Sequence, residues 1–321
     1  MLETAQTASR RIESGEPLML AGDERLLAAL PRGNWIGGTI PYFLHDTGVT
    51  TREKVYVTRA PGYSDVARVC LYTAERLHRI VEDAPESGYT LLVLPAGSST
   101  HHRFAREAPE YPGSYLKPVV GWVSGVHLDD LGKISAQVID GTRGELLSDA
   151  AVALHVSLPA SKLAVVRIVN PFRPGSGDII SFETEGFQAQ DCLVNGSQVN
   201  LAEYLTEQRA DTRWPLVADY MGTLVNVSLQ QVDLARKRVM FYAPVFRGVE
   251  YRLAAPPEGS PDLGFGHTPE DGFVCSCILN FLYGELEGKA LPGARGPVTF
   301  GEIAYQLLNQ TTVFLEVVER R

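Results

Sequence analysis

The sequence predicts a mixed α+β protein, in which two related-looking halves of sheet and helix pack into one compact unit. Two observations carry this prediction. Helical periodicity comes early in each half, and short strands follow it. A cluster of turn residues at 171–178 separates two apolar runs and is the best candidate boundary. We therefore expect an N-terminal domain at residues 1–170 and a C-terminal domain at residues 171–321.

The elements of the first half follow from capping and periodicity. After a short buried strand at Leu18–Ala21, Asp23 is a good N-cap for a helix over Glu24–Leu30. A longer amphipathic helix is predicted over Ser64–Asp83, capped by its first residue, because apolar side chains recur there at helical spacing. Tyr89–Pro95 is a continuous apolar run, which is typical of a strand buried on both faces.

Later in the chain, short strands alternate with glycine and aspartate turns. The predicted strands are Val119–Val123, Ile134–Ile139, Val152–Leu158 and Leu163–Val169. In the second half, a helix at Leu201–Gln208 precedes strands at Val239–Ala243 and Val249–Ala254. The polar stretch Pro256–Pro261 favours a surface loop.

Composition narrows the class of protein. The chain has 321 residues, of which 45% are hydrophobic, and a formal net charge of -9 without a basic stripe, so nucleic acid is not an expected partner. No apolar stretch is long enough for a membrane span or a signal peptide, so we expect a cytoplasmic protein. Four irregularly spaced cysteines predict reduced thiols, and neither a metal nor a cofactor is expected.

The second half carries a family resemblance. Asp191–Gly196 running into helical Leu201–Leu205 resembles the start of the C-terminal FIST domain. The later segments that are similar to this domain, in the same order, are Val239–Val245, Gly248–Ala254, Phe273–Cys277, Gly296–Ile303 and Asn309–Thr311. The first half resembles the N-terminal FIST domain through Leu91–Ala96 and Val119–Gly125.

The resemblance implies a function. FIST domains are regarded as sensory modules of signal transduction that bind small ligands such as amino acids. The resemblance therefore implies a sensory protein with a small-molecule ligand and a signalling partner protein. The chain departs from the family in carrying no kinase, cyclase or chemoreceptor output domain, so we expect a stand-alone protein. The chain departs from the family at Ile278–Asn280, where FIST domains tend to place an arginine.

Two adjacent glycines form the most unusual stretch. Gly37 and Gly38 lie between Asn34 and Thr39, and bare glycine backbone can approach a ligand closely. A pocket wall is one interpretation. The other is a glycine-permitted bend or bulge beside a packed Trp35.

A polar loop follows the buried strand that ends at Pro95. Ser98 and Ser99 precede His101 and His102, and loops after sheet strands are where open α/β sheets bind ligands. Neighbouring histidines cannot share one helix face to ligate a metal, and the glycine-flanked serine of a hydrolase is missing. The loop is therefore a candidate for ligand contact rather than catalysis.

Two further motifs have competing interpretations. Cys275 and Cys277 on one strand share a face, so they can bind a metal, trap an oxidant or simply fill a core. Glu302 opens a predicted helical turn at Ile303–Leu308, where a carboxylate stabilises a helix N-terminus or receives a ligand amino group.

Three functions stay open. The first is a ligand-binding sensory protein, with contacts from Asn34, Gly37, Gly38, Thr39, Ser98, Ser99, Ser124, Cys277, Asn280 and Glu302. The second is a hydrolase or acyl-transfer enzyme in which a serine or cysteine is activated by a histidine. The third is a structural protein with an exposed apolar patch for a partner.

Overall fold

A computed structural model describes residues 1–63, 66–220, 222–255, 262–269 and 271–320. Over these residues the chain is a mixed α/β protein with many strands and few helices, which confirms the predicted fold class. It divides into two compact units. The first unit is Met1–Val169 with Gly264–Leu307 and Thr312–Arg321, and the second is Asn170–Leu263 with Leu308–Thr311. The chain leaves the first unit close to the predicted boundary but returns to it, so the units are not consecutive halves.

Short helices and many strands alternate along the chain. The helices are α1 (Ala5–Glu13), α2 (Glu24–Ala28), α3 (Arg79–Glu82), α4 (Ser99–Glu107), α5 (Leu201–Glu207) and α6 (Ile278–Tyr283). The strands before residue 170 are β1 (Leu2–Glu3), β2 (Leu18–Gly22), β3 (Trp35–Thr39), β4 (Tyr42–Thr50), β5 (Val55–Arg59), β6 (Ala67–Tyr72), β7 (Gly88–Pro95), β8 (Val119–Ser124), β9 (Val138–Asp140), β10 (Glu145–Leu147), β11 (Ala151–Ser157) and β12 (Lys162–Val169).

The strands after residue 170 fall into two groups. Those up to residue 253 are β13 (Ile180–Ser181), β14 (Gly186–Ala189), β15 (Asp191–Val194), β16 (Ser197–Asn200), β17 (Leu216–Tyr220), β18 (Thr223–Val227), β19 (Leu229–Asp233), β20 (Arg238–Val245) and β21 (Tyr251–Leu253). The rest are β22 (Phe273–Cys277), β23 (Ala290–Thr299), β24 (Glu302–Ala304), β25 (Gln306–Leu308) and β26 (Thr312–Glu319).

Within the described residues, the strands of the first unit form three sheets. The first sheet has the order β1-β5-β2-β3-β9-β10, the second β25-β24-β8-β7-β11-β6, and the third β12-β26-β22-β23-β4. Each contains a parallel pair: β2 with β3, β7 with β8, and β22 with β23. Strand β6 is an edge strand of the second sheet, a position that matters for the site described below.

The first unit has a core on each side of the first sheet. On one side, α1 and α2 bury Ile12 and Leu27 against β2 and β3, together with Trp35. On the other side, β3 contacts β7, β8 and β11 of the second sheet. Gly38 permits this contact, because a Cβ atom there would lie only 2.7 Å from Val93 Cγ1 and 2.9 Å from Ser124 Cβ.

The second unit has its own apolar core. Helix α5 buries Leu201, Ala202 and Leu205 against strands that include β17 and β20. Within the described part of this unit, strands form a sheet of order β16-β15-β13-β21-β17-β18 and a second of order β14-β20-β19. The aromatic side chains of Phe182 and Phe241 pack edge to face inside this core.

Several predicted elements are confirmed. Asp23 caps α2 by accepting from the Arg25 N–H, and the run before Pro95 is the buried strand β7. The predicted helix at Leu201 is α5. Cys275 and Cys277 lie on one strand, β22. The loop predicted at Pro256–Pro261 lies outside the described residues.

The long helix predicted over Ser64–Asp83 is wrong. Ala67–Tyr72 is strand β6, and only Arg79–Glu82 is α-helical; the predicted cap, Ser64, lies outside the described residues. Strand β6 pairs antiparallel with β11 from Ala67 to Tyr72. The apolar residues of this segment are spaced as in a helix, but pairing with β11 makes it a strand. The local sequence does not reveal a partner so distant along the chain.

Two smaller predictions also fail. The helical turn expected at Ile303–Leu308 is strands β24 and β25, separated by Tyr305 with a left-handed φ of 63°. Glu302 therefore lies in a strand paired with β8 and complements no helix. The strand expected from Ile134 begins only at Val138.

Among the described residues, no helix has the length and apolarity that a membrane crossing requires.

Candidate functional site

The two glycines of the predicted pocket are packed rather than open. Gly37 and Gly38 continue the regular parallel register of β3 with β2, so they form no bulge. A Cβ at Gly37 would lie 2.7 Å from the Leu20 carbonyl oxygen. The close approach that glycine permits here is made by neighbouring strands. Asn34, just before β3, is half-buried, and its carbonyl accepts from the Leu18 N–H.

Thr39 and Ser124 lie beside these glycines. The Thr39 carbonyl accepts from the Gly125 N–H at 2.7 Å, and its hydroxyl accepts from the Gln137 N–H at 2.9 Å. Ser124 is fully buried, and its hydroxyl has no hydrogen-bond partner among the described residues. The structure thus brings Gly38, Thr39 and Ser124 together at the contact between the first and second sheets.

A second part of the predicted set surrounds Glu302. This side chain is fully buried in β24, opposite Trp122, and the Thr299 hydroxyl lies 3.5 Å from its Oε1. Cys275 and Cys277 are also buried, and the Cys275 thiol donates to the Gly121 carbonyl. Burial raises the pKa of Cys275 well above its ordinary value, and the charges of Glu302 and Cys277 add to the effect. Cys275 is therefore a protonated core thiol.

The remaining predicted residues lie at the start of helix α4 or within helix α6. Ser98 is the N-cap of α4, accepting from the His101 N–H and donating to the Pro95 carbonyl. The Ser99 hydroxyl donates to Asp149, 2.7 Å from Oδ2, and the Thr100 N–H donates to the same carboxylate. Asn280 lies in α6 and is buried.

These contacts bear on the nucleophile interpretation. The hydroxyls of Ser98 and Ser99 donate to a carbonyl and a carboxylate, so no imidazole activates them. Burial lowers the pKa of His101 to about 3, with a smaller contribution from His102, which keeps the imidazole neutral. The polar loop after β7 is thus explained by capping of α4.

A different part of the first unit offers an accessible concavity. A cleft of about 300 Å³ opens beside edge strand β6. We call it the arginine cleft; its lining residues are Val69, Cys70, Leu71, Tyr72, Arg76, Arg79, Asp83, Asp140, Thr142 and Arg143. They come from β6, from the turn and helix that follow it, and from the β9–β10 hairpin.

The cationic side of the cleft is only partly neutralised. Arg79 lies 3.3 Å from Asp83 Oδ1 and 3.9 Å from Glu82 Oε2. Arg143 lies 3.5 Å from Asp140 Oδ2 and 3.9 Å from Glu145 Oε2. Arg76, exposed at the cleft, makes no ion pair with any residue that the structure describes. Buried Asp140 is already satisfied by its own turn, accepting from the N–H and hydroxyl of Thr142. Positive charge at Arg76 is therefore available to a ligand.

The floor of the cleft is a buried hydrogen-bonded chain. Tyr72 Oη lies 3.1 Å from Asp83 Oδ2 and 2.7 Å from His155 Nε2, and His155 Nδ1 lies 2.8 Å from the Thr90 hydroxyl. Burial lowers the pKa of His155 to about 4, so its imidazole is neutral near pH 7.

The acceptor role of the Asp83 carboxylate assigns donor and acceptor to each hydrogen bond beneath the cleft. The Asp83 carboxylate only accepts, so Tyr72 donates to it and must accept from the Nε2–H of His155. Nδ1 of His155 then accepts from the Thr90 hydroxyl. Burial raises the pKa of Tyr72, and Cys70 and Asp83 raise it further, so the phenol stays protonated. The floor is a hydrogen-bonded polar layer beside the arginine side chains that line the cleft.

The sequence did not single out this cleft. Arg76 and Arg79 fell within the misassigned helix, and Arg143 lies in a turn about 60 residues later. One signal was present: His155 is a lone titratable residue within the apolar run Val152–Leu158. A buried polar residue in such a strand indicates a hydrogen-bonded network.

Fold and site together define a mixed α/β protein with an arginine-lined cleft at a sheet edge. The chain belongs to a family of unknown function, DUF6976, whose model matches residues 3–318. No curated protein matches it. The family match does not test the resemblance to FIST domains, which stays a prediction.

Proposed function

We propose that the protein binds a small anionic ligand in the arginine cleft. The observation that carries this proposal is Arg76, a guanidinium group at a cleft with no ion pair among the described residues. Arginine presents paired N–H donors that match the oxygens of carboxylate and phosphate groups. Arg79 and Arg143 flank it, and each can exchange a long intramolecular contact for one to a ligand.

The size and lining of the cleft limit the ligand. A volume of about 300 Å³ is at the small end of ligand pockets, which suits a metabolite rather than a nucleotide or a peptide. Val69 and Leu71 supply apolar surface near the arginines. The ligand class is therefore a small carboxylate or phosphate with a short apolar portion.

This binding activity supports a sensory role. The FIST resemblance implies a small ligand such as an amino acid, and an amino acid carries the required carboxylate. On this proposal the protein reports the concentration of its ligand to a signalling partner, and no chemical step is needed. The enzyme alternative gains no support from Ser98, whose hydroxyl caps α4, from Ser99, whose hydroxyl donates to Asp149, or from Cys277, which is buried.

Calorimetry and thermal shift with defined probes test the proposal. The probes are inorganic phosphate and short-chain monocarboxylates at low ionic strength. Binding to the folded state alone should raise the melting temperature by mass action. Arg76→Gln should weaken binding about tenfold, an effect on the order of 1 kcal/mol, while leaving the unliganded melting temperature unchanged.

Arg59→Gln is the matched control. Arg59 is an exposed arginine of the same unit, paired with Glu16 at 3.1 Å and absent from the cleft lining. It should bind the probes as the parent does. Equal affinity of Arg76→Gln and the parent, or equal loss in both variants, would place anion binding outside the cleft.

A further inference from the structure

The second unit contains a separate polar groove of about 490 Å³. Its lining includes Glu183, Gln188, Gln190, Asp191, Gln198 and Arg238, and we call it the glutamine groove. These residues come from β14, β15, β16 and the start of β20, with Glu183 just before β14. The volume falls within the range of small-molecule sites, and the lining is dominated by amide, carboxylate and guanidinium groups.

Arg238 is incompletely satisfied in this groove. Its Nη1 donates to Gln188 Oε1 at 3.3 Å, which is long for such a bond. Its Nε is shielded from solvent and has no hydrogen-bond partner among the described residues. Buried donors in native proteins are almost always paired, so the Nε–H of Arg238 is available to an oxygen atom of a ligand.

The opposite side of the groove is similarly loose. Gln198 Nε2 donates to Asp191 Oδ2 at 3.4 Å, again near the limit of a hydrogen bond. Both contacts can be exchanged at little cost for shorter bonds to a ligand. Cys192 lies in the lining, but burial, with a smaller effect of Asp191, raises its pKa to about 11, so thiol chemistry does not compete with binding.

The groove carries charges of both signs. Glu183 and Asp191 disfavour an anion, and Arg238 offsets part of their attraction for a cation. An uncharged hydroxyl group satisfies both sides, because it donates to a carboxylate or amide oxygen and accepts from a guanidinium or amide N–H. Adjacent hydroxyls match the paired N–H groups of Arg238.

We propose that the glutamine groove binds a small, uncharged, hydroxyl-rich molecule of the sugar or polyol class. This site is independent of the arginine cleft. The residues that line the glutamine groove are mostly exposed to solvent, and an uncharged ligand forms no ion pair with them. We therefore expect weak binding, in the millimolar range. The ligand places vicinal hydroxyls on Arg238 and Gln188 and a donor hydroxyl on Asp191.

Ligand-observed NMR with the full chain tests this. The probes are glucose, galactose and inositol, with inorganic phosphate as the anionic comparison. Saturation transfer should appear for at least one hydroxyl-rich probe. Arg238→Gln should weaken binding of that probe about tenfold. Gln188→Ala changes an exposed residue, so it gives a second measurement that does not depend on whether the Arg238→Gln variant folds correctly.

Two controls separate this site from others. Arg236→Gln removes an exposed arginine two residues away that pairs with Asp233 and does not line the groove, so it should bind sugar as the parent does. Arg76→Gln should also leave sugar binding unchanged. The proposal is overturned if no hydroxyl-rich probe binds, if phosphate binds at Arg238 instead, or if both groove variants bind sugar as well as the parent.

Discussion

The second sheet of the first unit carries polar residues near both of its edges. Those near one edge are buried, whereas those near the other edge line an open cleft. Near one edge, Glu302 of β24 and Ser124 of β8 are fully buried. At the other edge, β6 opens onto the arginine cleft, where Arg76 is exposed and Tyr72 forms a buried floor. One region is closed by packing against the first and third sheets. The other is bounded by a turn and a hairpin, and it leaves space.

The difference teaches which sequence signals indicate a site. Glycine pairs, closely spaced cysteines and a carboxylate after glycine are conspicuous in a sequence, yet here each is consistent with dense packing. Gly38 allows two sheets to meet, and Cys275 fills a core. The cleft is built from common residues that only the fold brings together.

The largest expected effect concerns the floor of the cleft. The pKa of His155 is lowered from 6.5 to about 4, chiefly by burial, with Arg68 and Lys117 lowering it and Asp83 raising it. Between these pH values the unfolded chain binds the proton and the folded chain does not. The contribution of His155 to the free energy of unfolding is therefore complete above about pH 6.5 and decreases as the pH falls, by about 3 kcal/mol at pH 4.

Chemical denaturation of the parent and of His155→Gln between pH 7 and pH 4 measures this term. The variant should lose stability less steeply on acidification. His101, whose pKa is lowered to about 3, contributes with the same sign and leaves a residual slope in both proteins. Parallel pH profiles for parent and variant would show that His155 is not a buried neutral imidazole.

The next effect tests the closed region. Gly38→Ala should destabilise the protein by about 2 kcal/mol, because the added methyl meets Val93, Ser124 and Trp122 at less than van der Waals distance. Gly177→Ala is the control, since nothing lies within 4 Å of its added Cβ. Urea unfolding compares them. A Gly38→Ala variant as stable as the parent would mean that the sheets do not meet closely, and that Gly38 can face a pocket.

Sequence predicted the closed region better than the open one. The local sequence pattern predicts the buried strand that ends at Pro95 and the shared strand of Cys275 and Cys277. The packing of the structure agrees with both predictions. Strand β6 could not be recognised in this way, because an edge strand is half exposed and its partner β11 lies about 80 residues away.

The cleft was missed for the same reason. Tyr72 reaches His155 only because β6 and β11 pair in antiparallel register, and Arg143 joins them only through the β9–β10 hairpin. None of these long-range contacts has a local signature. His155 could have been flagged, but not its partners.

The smallest effect compares the thiols of the two regions. The chain has four cysteines; Cys192, Cys275 and Cys277 are at most 3% exposed, and Cys70 alone among the four is half-buried. Brief treatment of the folded protein with iodoacetamide should therefore add one carbamidomethyl group, on Cys70. Intact-mass and peptide mass spectrometry identify it. Rapid labelling of Cys275 or Cys277 would show that the closed region opens readily.

The charge of the reagent sharpens the test. Iodoacetate is an anion and iodoacetamide is neutral, so the arginines of the cleft should favour iodoacetate at Cys70 relative to the same thiol in urea. An effect on the order of 1 kcal/mol corresponds to about a fivefold change in the ratio of the two rates. Arg76→Gln should reduce this ratio, and salt should screen it. An unchanged ratio in the variant would mean that Arg76 does not act on an anion at the cleft floor, whatever the exposure of Cys70.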